Sequence, residues 1–314
     1  MKKLLVSMLV LVCAISLVGC SKEKSSTVQE SQKTMTIGVM PDVESIPFII
    51  AEKNGYFTKA GVKVKIEHFT SAKDRDSALQ SGKLDGVITD VVAVSFANEG
   101  GIDLKIIAKT NGNIELMAGK DSGIASVSDL KGKSVGLSTN TIMEYTADQM
   151  LAAAQIQAGD INKIAIPPLP TRLEMLQGGK IDAAILPEPL AGLAVKNGAR
   201  ILSSTDQLGN KAGAIAFTGK SLQESPEDIK AVFKSYNEAV DYMQKEPLAG
   251  YVDYIIQAQG FPTAVKDSFV LPKYDQATAP DAKIVADVVK WMQAKNLIKN
   301  NYTYKDLVKE DFLR

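Results

Sequence analysis

Polar side chains suited to binding a small molecule follow four short apolar segments of the chain. These positions are Asp42, Thr89 with Asp90, residues 138–141, and Glu188. In α/β proteins, ligands bind beyond the carboxyl ends of strands, where loops lead into helix N-termini. Carboxylates there accept hydrogen bonds from a ligand, and hydroxyls or free backbone amides donate to it. The candidate ligand-binding residues in and beside these loops are Asp42, Ser45, Ile46, Pro47, Thr89, Asp90, Ser138, Asn140, Thr141, Glu144, Arg172 and Glu188.

The acids Asp90 and Glu188 have two interpretations. Each follows a predicted strand in its own half of the chain, so each could bind donors or a cationic nitrogen of a ligand. Alternatively each caps the helix that follows, because acids stabilise helix N-termini. The candidate loops carry more carboxylates than cations, Arg75 and Arg172 being among the few basic candidates. A sulfonate or nitrate site would need donors such as arginine, so the balance favours a nitrogenous ligand such as an aminopyrimidine.

The sequence shows no grouping of residues that is typical of a catalytic or metal site. The single histidine, His68, shares a predicted strand face with Val64 and Ile66, which favours a structural role. The chain contains no His-Glu-x-x-His motif. We therefore expect no catalytic residue, no metal ligand and no cofactor.

Two segments that nearly copy each other indicate how the candidate residues are positioned. Residues 79–88 read LQSGKLDGVI and residues 176–185 read LQGGKIDAAI, 97 residues apart. Each predicts a helix end, a glycine stop and a short buried strand. The apolar segments 36–39 and 134–137 lie upstream at nearly the same spacing, so the sequence predicts two copies of one β-α-β-α-β block. The alternative is a chance likeness of two ordinary helix–strand junctions. We expect an α/β fold of two doubly wound lobes with a cleft between them.

The N-terminus has the features of an export signal. Two lysines precede an apolar run at 4–18, which is shorter than a membrane span and ends in Leu-Val-Gly-Cys20. This ending resembles the bacterial lipobox, in which the cysteine becomes lipidated; a plain secretory signal is the alternative. The sequence predicts a signal peptide over 1–19, followed by a lipidated Cys20 and a polar tether over 20–34, anchored to a membrane without spanning it.

The remaining chain is long enough for two lobes with separate cores. The predicted elements assign 35–112 and 216–314 to lobe I and 116–212 to lobe II, so that two crossings form a hinge. The whole chain has 36 basic and 36 acidic residues, which gives no positive field for nucleic acid. A nucleic-acid-binding function is therefore not expected.

Several motifs together resemble one family. They are PDVESIPFIIAEKNGYFTKAGVKV at 41–64, the two Gly-Lys-Leu/Ile-Asp junctions, DLKGKSVGLS at 129–138 and ILPEPLA at 185–191. In this order the chain resembles solute-binding proteins of ABC importers, within the nitrate/sulfonate/taurine family that also includes binders of thiamine pyrimidine precursors. The resemblance implies a type II periplasmic-binding-protein fold that closes over a small solute and delivers it to a membrane permease and its ATPase. We expect the binding protein to be a monomer.

Related folds leave two other functions to weigh. A pyridoxal-phosphate-dependent pyrimidine synthase shares the resemblance, but the sequence offers no catalytic constellation for it. The effector domain of a transcription regulator would need a helix-turn-helix where the export signal stands. We therefore expect a binding protein rather than an enzyme.

Overall fold

Two five-stranded sheets form the framework of the protein. The computed structural model describes residues 33–313, so the predicted signal peptide, Cys20 and nearly all of the predicted tether lie outside the described residues. The strands are β1 (Thr34–Val39), β2 (Lys63–His68), β3 (Gly86–Asp90), β4 (Leu104–Lys109), β5 (Ile114–Ala118), β6 (Ser134–Leu137), β7 (Asn162–Ala165), β8 (Ala183–Pro187), β9 (Arg200–Ser204) and β10 (Gly213–Thr218).

Helices cover the sheets and connect their parallel strands. They are α1 (Ile46–Lys53), α2 (Tyr56–Lys59), α3 (Ala72–Gln80), α4 (Val91–Glu99), α5 (Ile142–Ala153), α6 (Leu169–Gln177), α7 (Leu190–Lys196), α8 (Thr205–Leu208), α9 (Gly219–Glu224), α10 (Pro226–Lys245), α11 (Val252–Gln259), α12 (Ala282–Ala294) and α13 (Tyr304–Leu307). Among residues 33–313, no helix combines the length and the apolar character needed to cross a membrane.

The two sheets have the same strand order. The first sheet, the basis of lobe I, runs β2-β1-β3-β10-β4, and the second, the basis of lobe II, runs β7-β6-β8-β5-β9. In each sheet the strand at the fourth position, β10 in the first sheet and β5 in the second, runs antiparallel to both neighbours. The predicted α/β fold of two lobes is confirmed, and these antiparallel strands make both sheets mixed.

The repeated Gly-Lys-Leu/Ile-Asp junction has the same structural task in both lobes. The Asp85 carboxylate accepts a hydrogen bond from the backbone N–H of Thr36 at 2.9 Å. The Asp182 carboxylate accepts one from the N–H of Ser134 at 2.8 Å. Each acid thus fixes the junction to the start of the first strand of its lobe, which explains why the same residues recur 97 residues apart.

The chain crosses between the sheets at 110–113 and at 205–212. β5 begins at Ile114 and β10 at Gly213. The second sheet therefore starts slightly before residue 116, and the chain returns to the first sheet slightly before residue 216, the two bounds predicted from the sequence. Because both crossings lie on the same side of the sheets, the carboxyl ends of β1 and β3 face those of β6 and β8 across a cleft. This geometry brings the predicted loops of the two lobes together.

Two helices begin at the cleft directly behind candidate residues. α5 begins at Ile142, because Thr141 caps it by accepting a hydrogen bond from the N–H of Met143 at 3.2 Å. α4 follows β3 directly, so Asp90 both ends the strand and occupies the N-cap position of the helix. The helices α10 and α12 bury apolar residues in lobe I.

Candidate functional site

A cavity of about 50 Å³ lies between the lobes, beside the first crossing. Lobe I lines it with the loop after β1, with the start of α3 and with the end of β3, and lobe II lines it with the residues around the start of α5 and the end of β8. A water needs at least about 10–15 Å³ of such a cavity, so this closed arrangement leaves room for only a few small groups. A ligand here would touch both lobes.

Three carboxylates form the lobe I wall of the cavity: Asp42, Glu44 and Asp90. Burial raises the pKa of Glu44 to about 7 and the pKa of Asp90 to about 6. Burial also raises the pKa of Asp42 well above its usual range, and the charge of Glu44 adds to this effect. Ionised carboxylates are unfavourable in a site shielded from water, so this wall gains from a bound positive charge.

One guanidinium, that of Arg75, faces the same cavity from α3. Its Nη1 donates to the carbonyl oxygen of Ile88 at 3.0 Å, and its Nε donates to the Asp76 carboxylate at 2.9 Å. Its Nη2 is buried without a hydrogen-bond partner among the described residues. The charge of Arg75 is thus shared between Asp76 and the three cavity acids, whose pKa values it lowers against the effect of burial. The lobe I wall keeps a surplus of carboxylates over cations.

Hydroxyl groups supply further polar contacts on both walls. The Thr89 hydroxyl is buried and has no hydrogen-bond partner among the described residues. Across the cleft, the Thr141 hydroxyl donates to the carbonyl oxygen of Ser138 at 2.9 Å, and both residues line the cavity. Met143 adds an apolar surface beside them. The cavity can thus combine charge pairing with hydrogen bonds and apolar contact.

Five of the sequence-predicted site residues line this cavity together. They are Asp42, Thr89, Asp90, Ser138 and Thr141. Asp90 also caps α4, accepting a hydrogen bond from the N–H of Ala93 at 2.9 Å. The two interpretations of Asp90 are therefore compatible, because one carboxylate oxygen caps the helix while the residue still lines the cavity.

Three other predicted residues lie directly behind the wall of the cavity. The Ser45 hydroxyl donates to the carbonyl oxygens of Met40 and Asp42, each at 3.1 Å, which holds the loop after β1 in place. Ile46 and Pro47 are buried in the first turn of α1 and belong to the lobe I core. Their side chains support the binding loop and do not line the cavity.

Arg172 is fully buried behind the lobe II wall. Its Nη2 donates to the Ser138 hydroxyl at 2.5 Å and its Nε to the carbonyl oxygen of Ile166 at 2.9 Å. The side chain therefore positions Ser138 without lining the cavity itself.

Glu188 lies beside the cavity at the contact between the lobes. Its carboxylate accepts a hydrogen bond from the N–H of Gly192 at 3.1 Å, and its backbone carbonyl accepts one from the N–H of Val43 in lobe I at 3.2 Å. Because β8 ends at Pro187 as β3 ends at Asp90, the equivalent of Asp90 in lobe II is Pro187, which does line the cavity. Glu188 is thus displaced by one residue from the position that the repeat assigned to it.

Asn140 and Glu144 are turned away from the cavity. The backbone N–H of Asn140 donates to the Glu144 carboxylate at 2.7 Å, and Glu144 forms ion pairs with Lys163 and Lys295 at 2.8 and 2.6 Å. Burial alone would raise the pKa of Glu144, but the Asn140 hydrogen bond and the two lysines outweigh burial and lower this pKa to about 2. Glu144 therefore belongs to a contact between the lobes.

Several residues at the cavity were not among the sequence candidates. Arg75 was weighed for its charge, and Glu44 is two residues from the candidate Asp42. Met40, Asn113 and Met143 gave no signal beyond their closeness to predicted loops. Asn113 lies in the first crossing, which no strand-end rule marks. Within residues 33–313, no group of three or more potential metal ligands comes together.

A family model described as NMT1/THI5 like matches residues 42–249, more than half of the chain and all of the cavity wall except Met40. The chain belongs to this family. The match includes lobe II, both crossings and part of lobe I. It supports the family prediction made from the order of the sequence motifs.

Individual relatives and solved structures agree with this assignment. A Bacillus subtilis protein provisionally named an aliphatic sulfonates-binding protein is 27% identical, covering 98% of this chain and 95% of its own length. A Brachyspira hyodysenteriae protein provisionally named an ABC transporter periplasmic binding protein is 26% identical, covering 78% of this chain and 75% of its own. The alkanesulfonate-binding protein SsuA from Xanthomonas axonopodis pv. citri, bound to MOPS, has the same fold with a TM-score of 0.77, 18% identity and coverage of 89% and 99%.

These relatives are binding components and not enzymes, which decides between the two functions weighed from the sequence. The protein is accordingly an extracytoplasmic solute-binding component of an ABC transporter, and a permease partner is implied. The chemical class of its solute has to be argued from the cavity.

Proposed function

We propose that the protein is a lipid-anchored binding component of an ABC importer whose solute is a small nitrogenous molecule carrying a positive charge or several hydrogen-bond donors. An aminopyrimidine of the thiamine-precursor type has this character. The solute would bind between Asp42, Glu44 and Asp90 on one lobe and Ser138 and Thr141 on the other. Bound there, it would favour the closed form and be handed to the permease.

The observation that carries this proposal is the surplus of carboxylates at the cavity. Asp42 and Asp90 are buried and Glu44 is half-buried, and the one guanidinium beside these three acids, that of Arg75, already forms an ion pair with Asp76. An anion entering this space would add a further negative charge to a site where Glu44 and Asp90 already resist ionisation. A cation would instead compensate charges that burial leaves unsatisfied.

An oxyanion of the sulfonate or nitrate type is the competing solute, since named relatives bind sulfonates. The donors available for it are the Arg75 Nη2 and the Thr89 hydroxyl, both buried without a hydrogen-bond partner among the described residues, and the Ser138 hydroxyl across the cleft. The two hydroxyls also suit a neutral heterocycle with acceptor nitrogens. One guanidinium does not offset the three carboxylates of the same wall, so we assign the lower preference to the oxyanion.

Closure around a shared ligand follows from the position of the cavity. A ligand that touches both lobes binds the closed form more tightly than the open form, and the difference in affinity sets how far it shifts the population. Micromolar capture needs only about 8 kcal/mol, which a few desolvated hydrogen bonds, one ion pair and one packed ring can provide. The small cavity favours a compact solute.

A thermal-shift screen tests the solute class directly. The panel contains a 4-aminopyrimidine, taurine, an alkanesulfonate, nitrate and an amino acid, and a ligand that binds the folded form raises the unfolding midpoint. We expect the aminopyrimidine to raise the unfolding midpoint. Asp90→Asn should make this rise smaller, corresponding to an affinity at least about tenfold weaker, because the solute loses a buried charge partner. Asparagine can still cap α4, so the variant should fold.

The matched control for this screen is Glu174→Gln, which removes an exposed acid from α6. It should leave the shift unchanged. Stabilisation by taurine, the alkanesulfonate or nitrate alone, with Asp90→Asn equal to or tighter than the unaltered protein, would contradict the nitrogenous assignment.

The proposed anchor is tested separately. Cells that express the protein with Cys20→Ser should release it from the membrane fraction and should no longer incorporate labelled palmitate into it. Retention in the membrane fraction by the variant would argue against the lipid anchor and would leave the proposed solute unaffected.

A further inference from the structure

Away from the cavity, α5 of lobe II lies against α12 of lobe I. Lys295 at the end of α12 forms an ion pair with Glu144 at 2.6 Å and approaches Asp148 at 3.5 Å. The indole N–H of Trp291 donates to Asp148 at 3.0 Å, and the Trp291 ring packs edge-on against Tyr145, with centroids 5.4 Å apart. We call these five residues the α5–α12 contact.

The charges of this contact balance only when the lobes are together. Lys163, on β7 of lobe II, pairs with Glu144 at 2.8 Å and with Asp148 at 2.6 Å. With Lys295 in place, two acids face two lysines. When the lobes separate, lobe II keeps one excess negative charge and lobe I one excess positive charge, which attract each other.

Burial makes this attraction effective, and the arrangement still allows the contact to open. The side chains of Glu144 and Asp148 are only 7% and 11% exposed, so solvent and salt screen them weakly. Lys163 stays beside both acids when Lys295 leaves, so opening does not strand an unpaired buried carboxylate. On the other lobe, Lys295 remains over the Trp291 ring, 4.9 Å from its centroid.

An aromatic side chain adds an apolar component to the contact. Tyr145 extends from α5 and is completely buried, within the apolar cluster of lobe I. Its hydroxyl exchanges hydrogen bonds with the Asn210 side chain in the second crossing, at 2.9–3.2 Å. Separation of the lobes would expose this ring to water, which is unfavourable for a large apolar surface.

The contact shares its helix turn with the cavity. Thr141 and Met143 line the cavity, and Glu144 follows them in the first turn of α5. The Glu144 carboxylate also accepts a hydrogen bond from the N–H of Asn140, which connects the residue before the Thr141 cap to the first turn of α5. A ligand that orders this turn therefore also orders the acid that Lys295 pairs with.

We infer that the α5–α12 contact is a latch between the lobes that sets the fraction of closed protein and thereby the affinity for solute, without touching the solute. The apparent dissociation constant equals the intrinsic one divided by the fraction in the binding-competent form. A latch that favours closure thus tightens binding of any solute that the cavity accepts. This inference goes beyond the proposed solute class and is independent of it.

The ligand-free protein offers a direct test, because Trp291 is the only tryptophan of the chain. We compare the unaltered protein with Lys295→Gln by small-angle X-ray scattering and by acrylamide quenching of tryptophan fluorescence. Loss of one partly buried ion pair should lower the closed-to-open ratio about fivefold. The variant should show a larger radius of gyration, a red-shifted emission and stronger quenching.

Two further variants separate the latch from other effects. Lys290→Gln removes an exposed lysine from the same helix and should match the unaltered protein. Lys295→Arg keeps the positive charge, so its tryptophan fluorescence should be quenched as weakly as that of the unaltered protein. Equal radius and quenching for Lys295→Gln and Lys290→Gln would overturn the inference, whether or not any solute is found.

A measurement on the unaltered protein covers the case in which Lys295→Gln fails to fold. At about 1 M NaCl the Debye length falls to about 3 Å, so salt stabilises the separated, solvent-exposed charges of the open form and hardly affects the buried pair of the closed form. Acrylamide quenching of Trp291 should then increase relative to low salt. Quenching that does not change with salt would contradict an electrostatic latch.

Discussion

Arg75 and Arg172 occupy equivalent positions in the two lobes, 97 residues apart. Nη1 of Arg75 donates to the carbonyl oxygen of Ile88 at 3.0 Å. Nη1 of Arg172 donates to the carbonyl oxygen of Ile185, again 97 residues further on, at 2.7 Å. Both side chains thus hold the central strand of their sheet just before it reaches the cleft. The difference between the lobes lies in what surrounds each guanidinium.

Strand glycines make room for these two arginines. A methyl group on Gly38 of β1 would lie 3.4 Å from Cγ of Arg75 and 2.7 Å from a Leu84 methyl group. A methyl group on Gly136 of β6 would likewise lie 3.4 Å from Cγ of Arg172. The duplicated sequence therefore preserves a packing arrangement at the cleft edge as well as a strand order.

Arg172→Lys should destabilise lobe II. The guanidinium donates to three backbone carbonyls and to the Ser138 hydroxyl, and a single ammonium cannot reach them all in this fork geometry. Unpaired buried acceptors should lower the free energy of unfolding by about 2–3 kcal/mol. Urea denaturation measures this loss, and Arg200→Lys at an exposed position should be neutral.

The stability of the ligand-free protein should depend on pH through Glu44. Burial raises its pKa from 4.5 to about 7, so the folded state holds a proton that the unfolded state releases between these values. The contribution to stability is full below about pH 4.5 and is lost as the pH rises through 7.

Glu44→Gln removes this titration, because the amide stays neutral at every pH. We expect the variant to be more stable than the unaltered protein at pH 8, by about 1–3 kcal/mol, and to lose that advantage at pH 4.5. Thermal or urea unfolding at the two pH values measures the difference. An advantage of equal size at both values would show that the carboxyl of Glu44 is not buried as described.

Gly213 should resist substitution because Glu44 and Thr110 lie against it. A methyl group there would overlap with the Thr110 hydroxyl and with the Glu44 carboxylate, which are themselves hydrogen-bonded. Gly213→Ala should cost about 1–3 kcal/mol of stability. The cost should shrink in the Glu44→Ala background, because one of the two overlapping groups is then gone. Strictly additive losses in this double-mutant cycle would contradict the contact between Glu44 and the start of β10.

Glu188→Gln should weaken solute binding less than Asp90→Asn. The Glu188 carboxylate accepts the Gly192 N–H and is not part of the cavity wall, whereas Asp90 lines it. Calorimetric titration with the stabilising compound of the thermal-shift panel compares the two variants. A greater loss for Glu188→Gln would place the solute on the lobe II side of the cleft.

Sequence reasoning located the cavity where strand ends and caps determine it. Asp90 could be placed because the repeated junction marks the strand before it, and Thr141 because a hydroxyl ahead of an apolar helical pattern marks a cap. The same rule assigned Glu188 to the wall, although the repeat aligns Asp90 with Pro187. A shift of one residue along the chain at the end of a strand changes which side chain reaches the cleft.

The remaining positions depend on packing that one sequence does not encode locally. Arg172 carries a charge that suggested a ligand contact, yet its length and the glycine opposite it allow complete burial behind Ser138. Glu144 lies in the cavity-lining turn but points to Lys295, a residue 151 positions away in the chain. Such long-range pairing is visible only once both lobes are folded.

The sign of proton exchange on binding tests the central claim most directly. Calorimetric titrations of the stabilising compound at about pH 6.5, in buffers of different ionisation enthalpy, count the protons that binding releases or takes up. A solute whose positive charge does not change over this pH range, bound between Asp42, Glu44 and Asp90, favours their ionised forms, so we predict release of protons and tighter binding as the pH rises from about 5 to 8. Uptake of protons, with binding that tightens as the pH falls, would show that the cleft accepts an anion and would contradict the account.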